Sequence, residues 1–255
     1  MSLALIYFAL YAFVFIFGCL MGSFLNVVVY RVPLKISVVK GRSFCPNCGK
    51  KIAAYDNIPL MSYIWLRGKC RKCGSKIAPR YFITELAGGF LALLMVLHYD
   101  FGVGAIVGFA VGILLLGIAL IDLDTMTIPN GLIITLIIPV AASYFAFLNP
   151  DIISRVIGIF VVSVPMFVLT LIIPGGFGGG DIKLMAVAGF LLGWPYTLLA
   201  AFIGILLGGI VAAFKLIRKD KEKHMAFGPY LCMGITISLL WGMDIIFWYL
   251  DLFGL

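Results

Sequence analysis

Charged residues are scarce in this chain: Asp, Glu, Lys and Arg make up 12% of 255 residues, where a soluble domain carries roughly a quarter. Hydrophobic residues fill the difference at 63%. That imbalance excludes a water-soluble fold of ordinary size and points to lipid. Histidine is scarcer still. The two present, His98 and His224, fall near the outer end of a span and in a basic loop, which leaves a serine–histidine mechanism without a placed base. No Gly-Lys-Ser/Thr follows the glycine run, so a phosphate-binding loop lacks its key residues. No repeat of 20–50 residues and no low-complexity linker interrupts the chain. No basic residue precedes the first apolar run, Ser2 to Val29; the first is Arg31. A cleaved secretory signal needs a positive start and a shorter apolar core, so this run is expected to be a retained first span.

What is present is a series of apolar stretches. A span needs about 20 apolar residues. Eight are expected, near residues 3–29, 81–99, 103–122, 130–148, 152–173, 183–194, 196–217 and 227–250; the sixth is short, and seven is the competing count. Charge orients them. The segment from Arg31 to Arg80 holds twelve Lys or Arg residues, and a second cluster (Lys215, Arg218, Lys219, Lys221, Lys223) follows the seventh span. With eight spans and the N-terminus outside, both clusters face the cytoplasm and only Arg155 lies outside, as the positive-inside rule requires. The net charge of +8 is thereby assigned to cytoplasmic loops and not to nucleic-acid binding. The fold class expected is an all-α polytopic membrane protein, about eight transmembrane helices with a small cytoplasmic zinc-binding loop domain. Its parts are a first helix (1–30), the four-cysteine domain (31–80) and a second transmembrane domain (81–255). Both termini lie outside the cytoplasmic membrane.

The loop carries Cys45-Pro46-Asn47-Cys48 and Cys70-Arg71-Lys72-Cys73, 21 residues apart. Each pair offers two thiolates to one edge of a tetrahedron, and two such pairs complete a structural zinc site. Gly49 and Gly74 follow the pairs and permit the tight turn each requires. Disulfides are disfavoured on the cytoplasmic side. Cys19 and Cys232 fall in spans and read as packing residues.

Acids inside spans are costly and become functional candidates. Of the eleven acids, Asp56, Asp100, Asp151, Asp220 and Glu222 are loop residues, and Asp244 and Asp251 are interfacial. Glu85, Asp122, Asp124 and Asp181 remain at or near spans. The topology puts Asp122 at the end of the third span and Asp181 at the start of the sixth, at similar depth. Two acids 59 positions apart can therefore meet. Asp124, two positions on, faces about 200° away on a helix. Asp181 follows a run with five glycines in the six positions 175–180. That run reads either as a flexible loop with Asp181 as helix N-cap, or as a place where a substrate backbone comes close. Two facing carboxylates and a water suffice to hydrolyse a peptide bond, one as base and one as acid, with one proton shared between them. Helix-end electrostatics favour the anion on Asp181 and the proton on Asp122.

At this point the chain resembles the type IV prepilin peptidase/N-methyltransferase family, aspartyl proteases of the G-x-G-D type (peptidase family A24). The matching residues are Gly22-Ser23-Phe24-Leu25-Asn26 with Arg31 and Pro33, the four cysteines, Asn57-Ile58-Pro59-Leu60, Arg80-Tyr81 with Glu85, Ile121-Asp122 through Pro129, Gly178-Gly179-Gly180-Asp181-Ile182-Lys183, and Phe227-Gly228-Pro229-Tyr230. The resemblance implies that Asp122 and Asp181 are catalytic and that Asp124 is not. It implies cleavage of type IV prepilins or type II secretion pseudopilins after a leader-terminal glycine. It also implies N-methylation of the new terminus with S-adenosylmethionine, at a site no nucleotide fingerprint locates. The rival from another class is an ion or solute transporter using intramembrane acids, which should hold them near the midplane.

Overall fold

The computed structural model describes residues 3–147, 150–173, 175–218 and 225–254. Pro174, ahead of the glycine run, and Lys219, Asp220, Lys221, Glu222, Lys223 and His224 of the second basic cluster lie outside the described residues. Within them the chain is helical, with two isolated antiparallel bridges and no named strand. The helices are α1 (Leu3–Arg31), α2 (Met61–Trp65), α3 (Pro79–Tyr99), α4 (Val103–Thr125), α5 (Asn130–Ala146), α6 (Ile152–Val161), α7 (Ser163–Ile172), α8 (Gly179–Leu192), α9 (Trp194–Ile217) and α10 (Gly228–Leu252). A short 3₁₀ turn, Ala54–Asn57, precedes α2.

Among the described residues six segments are long and apolar enough to cross a membrane: α1, α3, α4, Ile152–Ile172, α9 and α10. The protein is a multi-pass membrane protein. The two other expected spans are shorter. α5 has 17 residues and α8 has 14, and at 1.5 Å per residue α8 extends only about 21 Å, less than a hydrocarbon core of about 30 Å. The expected span 152–173 is broken at Val162 into α6 and α7. Pro165 is the reason: it donates no N–H, and its ring crowds the carbonyl of Val161, four residues back.

The chain divides into two compact units, Met1–Phe109 and Ala110–Leu255. In the first, α1 and α3 approach so closely that backbone meets backbone. A Cβ on Gly22 would fall 2.7 Å from the Thr84 carbonyl oxygen and 2.9 Å from Glu85 Cα. Small residues at such crossings are how helices gain van der Waals contact where lipid offers no hydrophobic drive between them. In the second unit, a Cβ on Gly158 of α6 would strike the carbonyl of Gly189 on α8.

Arg155, expected only as the one basic residue on the outer side, has a specific structural setting. It is fully buried. Its Nε donates to the Pro150 carbonyl (2.9 Å), and its Nη1 donates to Ser143 Oγ (2.9 Å) near the end of α5 and to the Phe190 carbonyl (3.1 Å) near the end of α8. A guanidinium capping the negative ends of two helices is favourable without a carboxylate partner. The hydropathy pattern could not show this, because it does not report which carbonyls and hydroxyls from other helices reach a cation.

Candidate functional site: a buried carboxylate pair and a four-cysteine cluster

Asp122 lies in the last turn of α4 and is 5% exposed. The helix runs three residues beyond the expected end, to Thr125, whose hydroxyl donates to the Ile121 carbonyl (2.9 Å). This extension places Asp122 and Asp124 on opposite sides of one helix, the first buried and the second exposed. Asp122 Oδ2 accepts the backbone N–H of Gly228 at 2.9 Å. Gly228 opens α10 with Pro229 behind it, and its N–H is free to leave the helix because first-turn amides have no intrahelical acceptor. A Cβ at Gly228 would fall 2.7 Å from the same oxygen. A side chain at this position would push the Asp122 carboxylate aside.

Asp181 is 8% exposed and sits inside the first turn of α8, three residues after the N-cap Gly178. Of the two readings of the glycine run, the one that makes Asp181 the helix N-cap is therefore corrected. Its Oδ2 instead accepts the Gly178 N–H at 3.2 Å, the reaching-back half of a capping box. The glycine run allows the chain to enter this turn: Gly175 has φ +84°. Asp181 Oδ1 is the buried side-chain oxygen left without a hydrogen-bond partner among the described residues.

The second unit brings the two acids within electrostatic reach of one another. The thiol of Cys232, one turn into α10, feels both of them. Three further contacts frame the pair. Ile128, in the segment after Asp122, fills the space beside Gly180, where an added Cβ would lie 2.7 Å from Ile128 Cβ. Lys183 Nζ donates to Asn130 Oδ1 at 2.9 Å. The rings of Phe177 and Phe227 meet at 5.6 Å. The segment leaving one acid is thus packed on the turn that carries the other. Sequence reasoning gave Gly228 no role toward Asp122, whereas Cys232 is buried as a packing residue should be. Pro229 at a helix start was the signal available for Gly228.

In the first unit the cysteine loop forms two matching knuckles. Cys45 N donates to Lys50 O (3.0 Å) and Gly49 N to Cys45 O (2.8 Å); Cys70 N donates to Ser75 O (2.8 Å) and Gly74 N to Cys70 O (2.9 Å). Gly49 and Gly74 take φ +68° and +72°. The four sulfurs lie within 4.8 Å of one another, a set that can hold a metal ion. Hydrogen bonding by Ser75, through its hydroxyl and its backbone, brings the Cys73 thiol down to about 6. The backbone N–H groups of Cys48 and Asn47 lower that of Cys45. Both effects favour the thiolate that binds metals. Arg31 organises the approach to this loop, donating from Nη1 to the carbonyls of Ser37 (2.9 Å) and Lys40 (2.8 Å). Asp56 holds Arg71 through a bidentate pair with contacts of 2.7–3.0 Å.

Membrane-crossing helices, a buried carboxylate pair and a thiolate cluster define a polytopic membrane protein of the aspartic-protease kind. Comparison with known proteins narrows this. Residues 16–99 match the bacterial peptidase A24 N-terminal domain and residues 109–213 the type IV leader peptidase family. Proteins named prepilin leader peptidase/N-methyltransferase are similar over nearly the whole length. That of Aeromonas hydrophila is 32% identical, covering 95% of this chain and 94% of its own. That of Pseudomonas aeruginosa is 33% identical, covering 93% and 92%, and that of Bacillus subtilis is 30% identical, covering 93% and 97%. No solved structure gives a significant match. The chain belongs to the type IV leader peptidase family.

Proposed function

We propose that this protein is a prepilin leader peptidase that cuts type IV prepilins or pseudopilins after the glycine ending a basic leader and then N-methylates the new terminus. The observation that carries the peptidase half is a pair of buried carboxylates on helices 59 positions apart, each with one oxygen fixed by a backbone amide. One ionised carboxylate of the pair takes a proton from water as it attacks the scissile carbonyl; the protonated one donates to the departing nitrogen. Gly228 holds Asp122 and Gly178 holds Asp181, so neither carboxylate turns away between steps. Asp181 Oδ1 is the acceptor left to orient the water. A transporter is less well served by acids at helix ends than by acids at the midplane, and the family has no such member among the relatives above.

The four cysteines fit a structural Zn2+. Cys45 and Cys73 sulfurs stand 3.9 Å apart, and tetrahedral zinc–thiolate bonds of about 2.3 Å give sulfur–sulfur edges of about 3.8 Å. Four protein ligands leave no open coordination position, so the ion would fold the loop and take no part in hydrolysis. In this reading residues 1–30 are an anchor span, 31–80 the zinc module and 81–255 the protease domain. The protein lies in the cytoplasmic membrane with both termini outside, and the zinc loop and acids on the cytoplasmic side, where the basic leader of the substrate arrives. S-adenosylmethionine is the methyl donor.

Mass spectrometry of a prepilin incubated with the purified protein and S-adenosylmethionine tests both halves. The expected product begins after the leader glycine and carries one added methyl group. An uncut prepilin would end the peptidase reading, and a cut but unmethylated product would end the transferase reading.

A further inference from the structure

The short helix α2 is held against the first two turns of α3 by two contacts. Tyr63 packs its ring on that of Phe82, with centroids 5.2 Å apart. The N–H of Leu60, the residue ahead of α2, donates to Glu85 Oε2 at 2.8 Å. A carboxylate in a spanning helix is costly, and hydrolysis by the acid pair gives Glu85 no role; here it fixes where α2 begins. α3 has 21 residues, about 31 Å at 1.5 Å per residue, which only matches a hydrocarbon core of about 30 Å. A helix tied to its first two turns therefore lies at the membrane boundary and not out in water. Ser62 and Tyr63 of α2 turn toward a cavity of the first unit. Met61, Ile64 and Trp65 fall at the i, i+3, i+4 spacing of one helix face, and each is more than half exposed.

Positive charge accompanies this apolar face. From Arg31 to Arg80, twelve Lys or Arg residues are set against a single acid, Asp56, and that acid is held by Arg71. Lys69 and Lys76 stand opposite one another across an antiparallel bridge, a pairing in which like charges repel. With the exposed Arg67 they form no ion pair among the described residues. We propose that α2 is an interfacial anchor: Met61, Ile64 and Trp65 enter the headgroup layer, and Arg67, Lys69 and Lys76 bind anionic phospholipid of the same membrane. Tryptophan favours headgroup depth, and apolar contact in that layer adds to electrostatic attraction by anionic lipid. Each basic residue near such a surface contributes about a fivefold preference for the bound state. The other candidate occupant, a prepilin leader, is basic and is repelled by the same cations. The docked helix holds the cysteine loop in one orientation on the bilayer surface. This inference does not depend on the peptidase or the transferase reading.

The full-length protein is reconstituted in phosphatidylcholine vesicles with and without phosphatidylglycerol, the acyl chains being brominated so that they quench nearby indoles. The chain has four tryptophans, so the signal of Trp65 is the difference between the wild type and Trp65→Phe. The expected result is quenching of Trp65 by the brominated chains, stronger with phosphatidylglycerol and weakened by salt. Lys69→Gln combined with Lys76→Gln is expected to lower the docked population in phosphatidylglycerol vesicles by about fivefold or more. Should that double variant unfold the loop, read as sensitivity to protease, the wild-type comparison of the two lipids carries the test alone. Quenching of Trp65 by acrylamide in the water and not by brominated chains would overturn the anchor. Equal quenching in both lipids at low salt would overturn the anionic ligand. Protection of Trp65 from acrylamide only after prepilin is added would make the substrate the occupant and overturn the choice of lipid.

Discussion

The cysteine loop and the acid pair solve opposite problems with the same backbone chemistry. In the loop, glycines with positive φ turn the chain so that amides and carbonyls close two repeated knuckles, Arg31 is spent on carbonyls and Asp56 on Arg71. Among the described residues none of its buried side-chain N or O atoms lacks a partner, and its four sulfurs converge. Around the acids, glycine serves to bring a backbone amide up to a carboxylate, and the accounting is left incomplete: Asp181 Oδ1 has no partner among the described residues. Buried polar atoms are nearly always paired, so an open acceptor next to a second acid supports the catalytic role proposed for the pair. A site built to be stable closes its valences, whereas a site built to react leaves one open.

Substitution at the acids should have the largest effect. Asp122→Asn and Asp181→Asn each remove a general acid or base, and prepilin conversion followed by gel or mass spectrometry should fall by about 10³-fold or more. Zinc content should stay unchanged. Cleavage surviving either change would remove the pair from the mechanism. The wild-type rate should be bell-shaped in pH, since below both ionisations no base remains and above them no acid does.

Gly228→Ala comes next. Its Cβ would lie 2.7 Å from Asp122 Oδ2, and displacing a catalytic group by about 1 Å costs on the order of 10²-fold. The turnover number should drop by about 10–100-fold while the melting temperature barely changes. A wild-type rate would show that the Gly228 amide does not set the position of Asp122.

On the other side of the comparison, Cys45→Ser or Cys70→Ser should abolish bound zinc, measured by elemental analysis, and make the loop susceptible to protease. Cleavage should fall only as far as folding does. Unchanged stoichiometry would refute the metal site. Smallest of all is Asp124→Asn, which should alter cleavage by no more than about twofold, as exposed substitutions do. A loss comparable to that at Asp122 would mean the wrong face of α4 has been assigned.

Much of this was legible in the chain itself. Hydropathy placed the helices because each needs a long apolar run, and the paired Cys-x-x-C spacing picked out the four sulfurs that converge because knuckle geometry is local. The spacing from Asp122 to Asp124 separated the two acids by rotation about one helix. The break at Val162 was also written in the sequence, in Pro165, although an averaged hydropathy window passes over it.

Contacts between distant residues were a different matter. Sequence alone determined which segments are helical, which residues can bind a metal and which acids are candidates, since these follow from composition and from spacings of a few residues. The tertiary structure decided that Gly228 grips Asp122, that Asp181 sits three residues inside its helix with one oxygen open, and that Arg155 is a buried clamp. It also tied Glu85 to the amide of Leu60. Each of these depends on a backbone group arriving from another helix, and no local pattern encodes where that group will be.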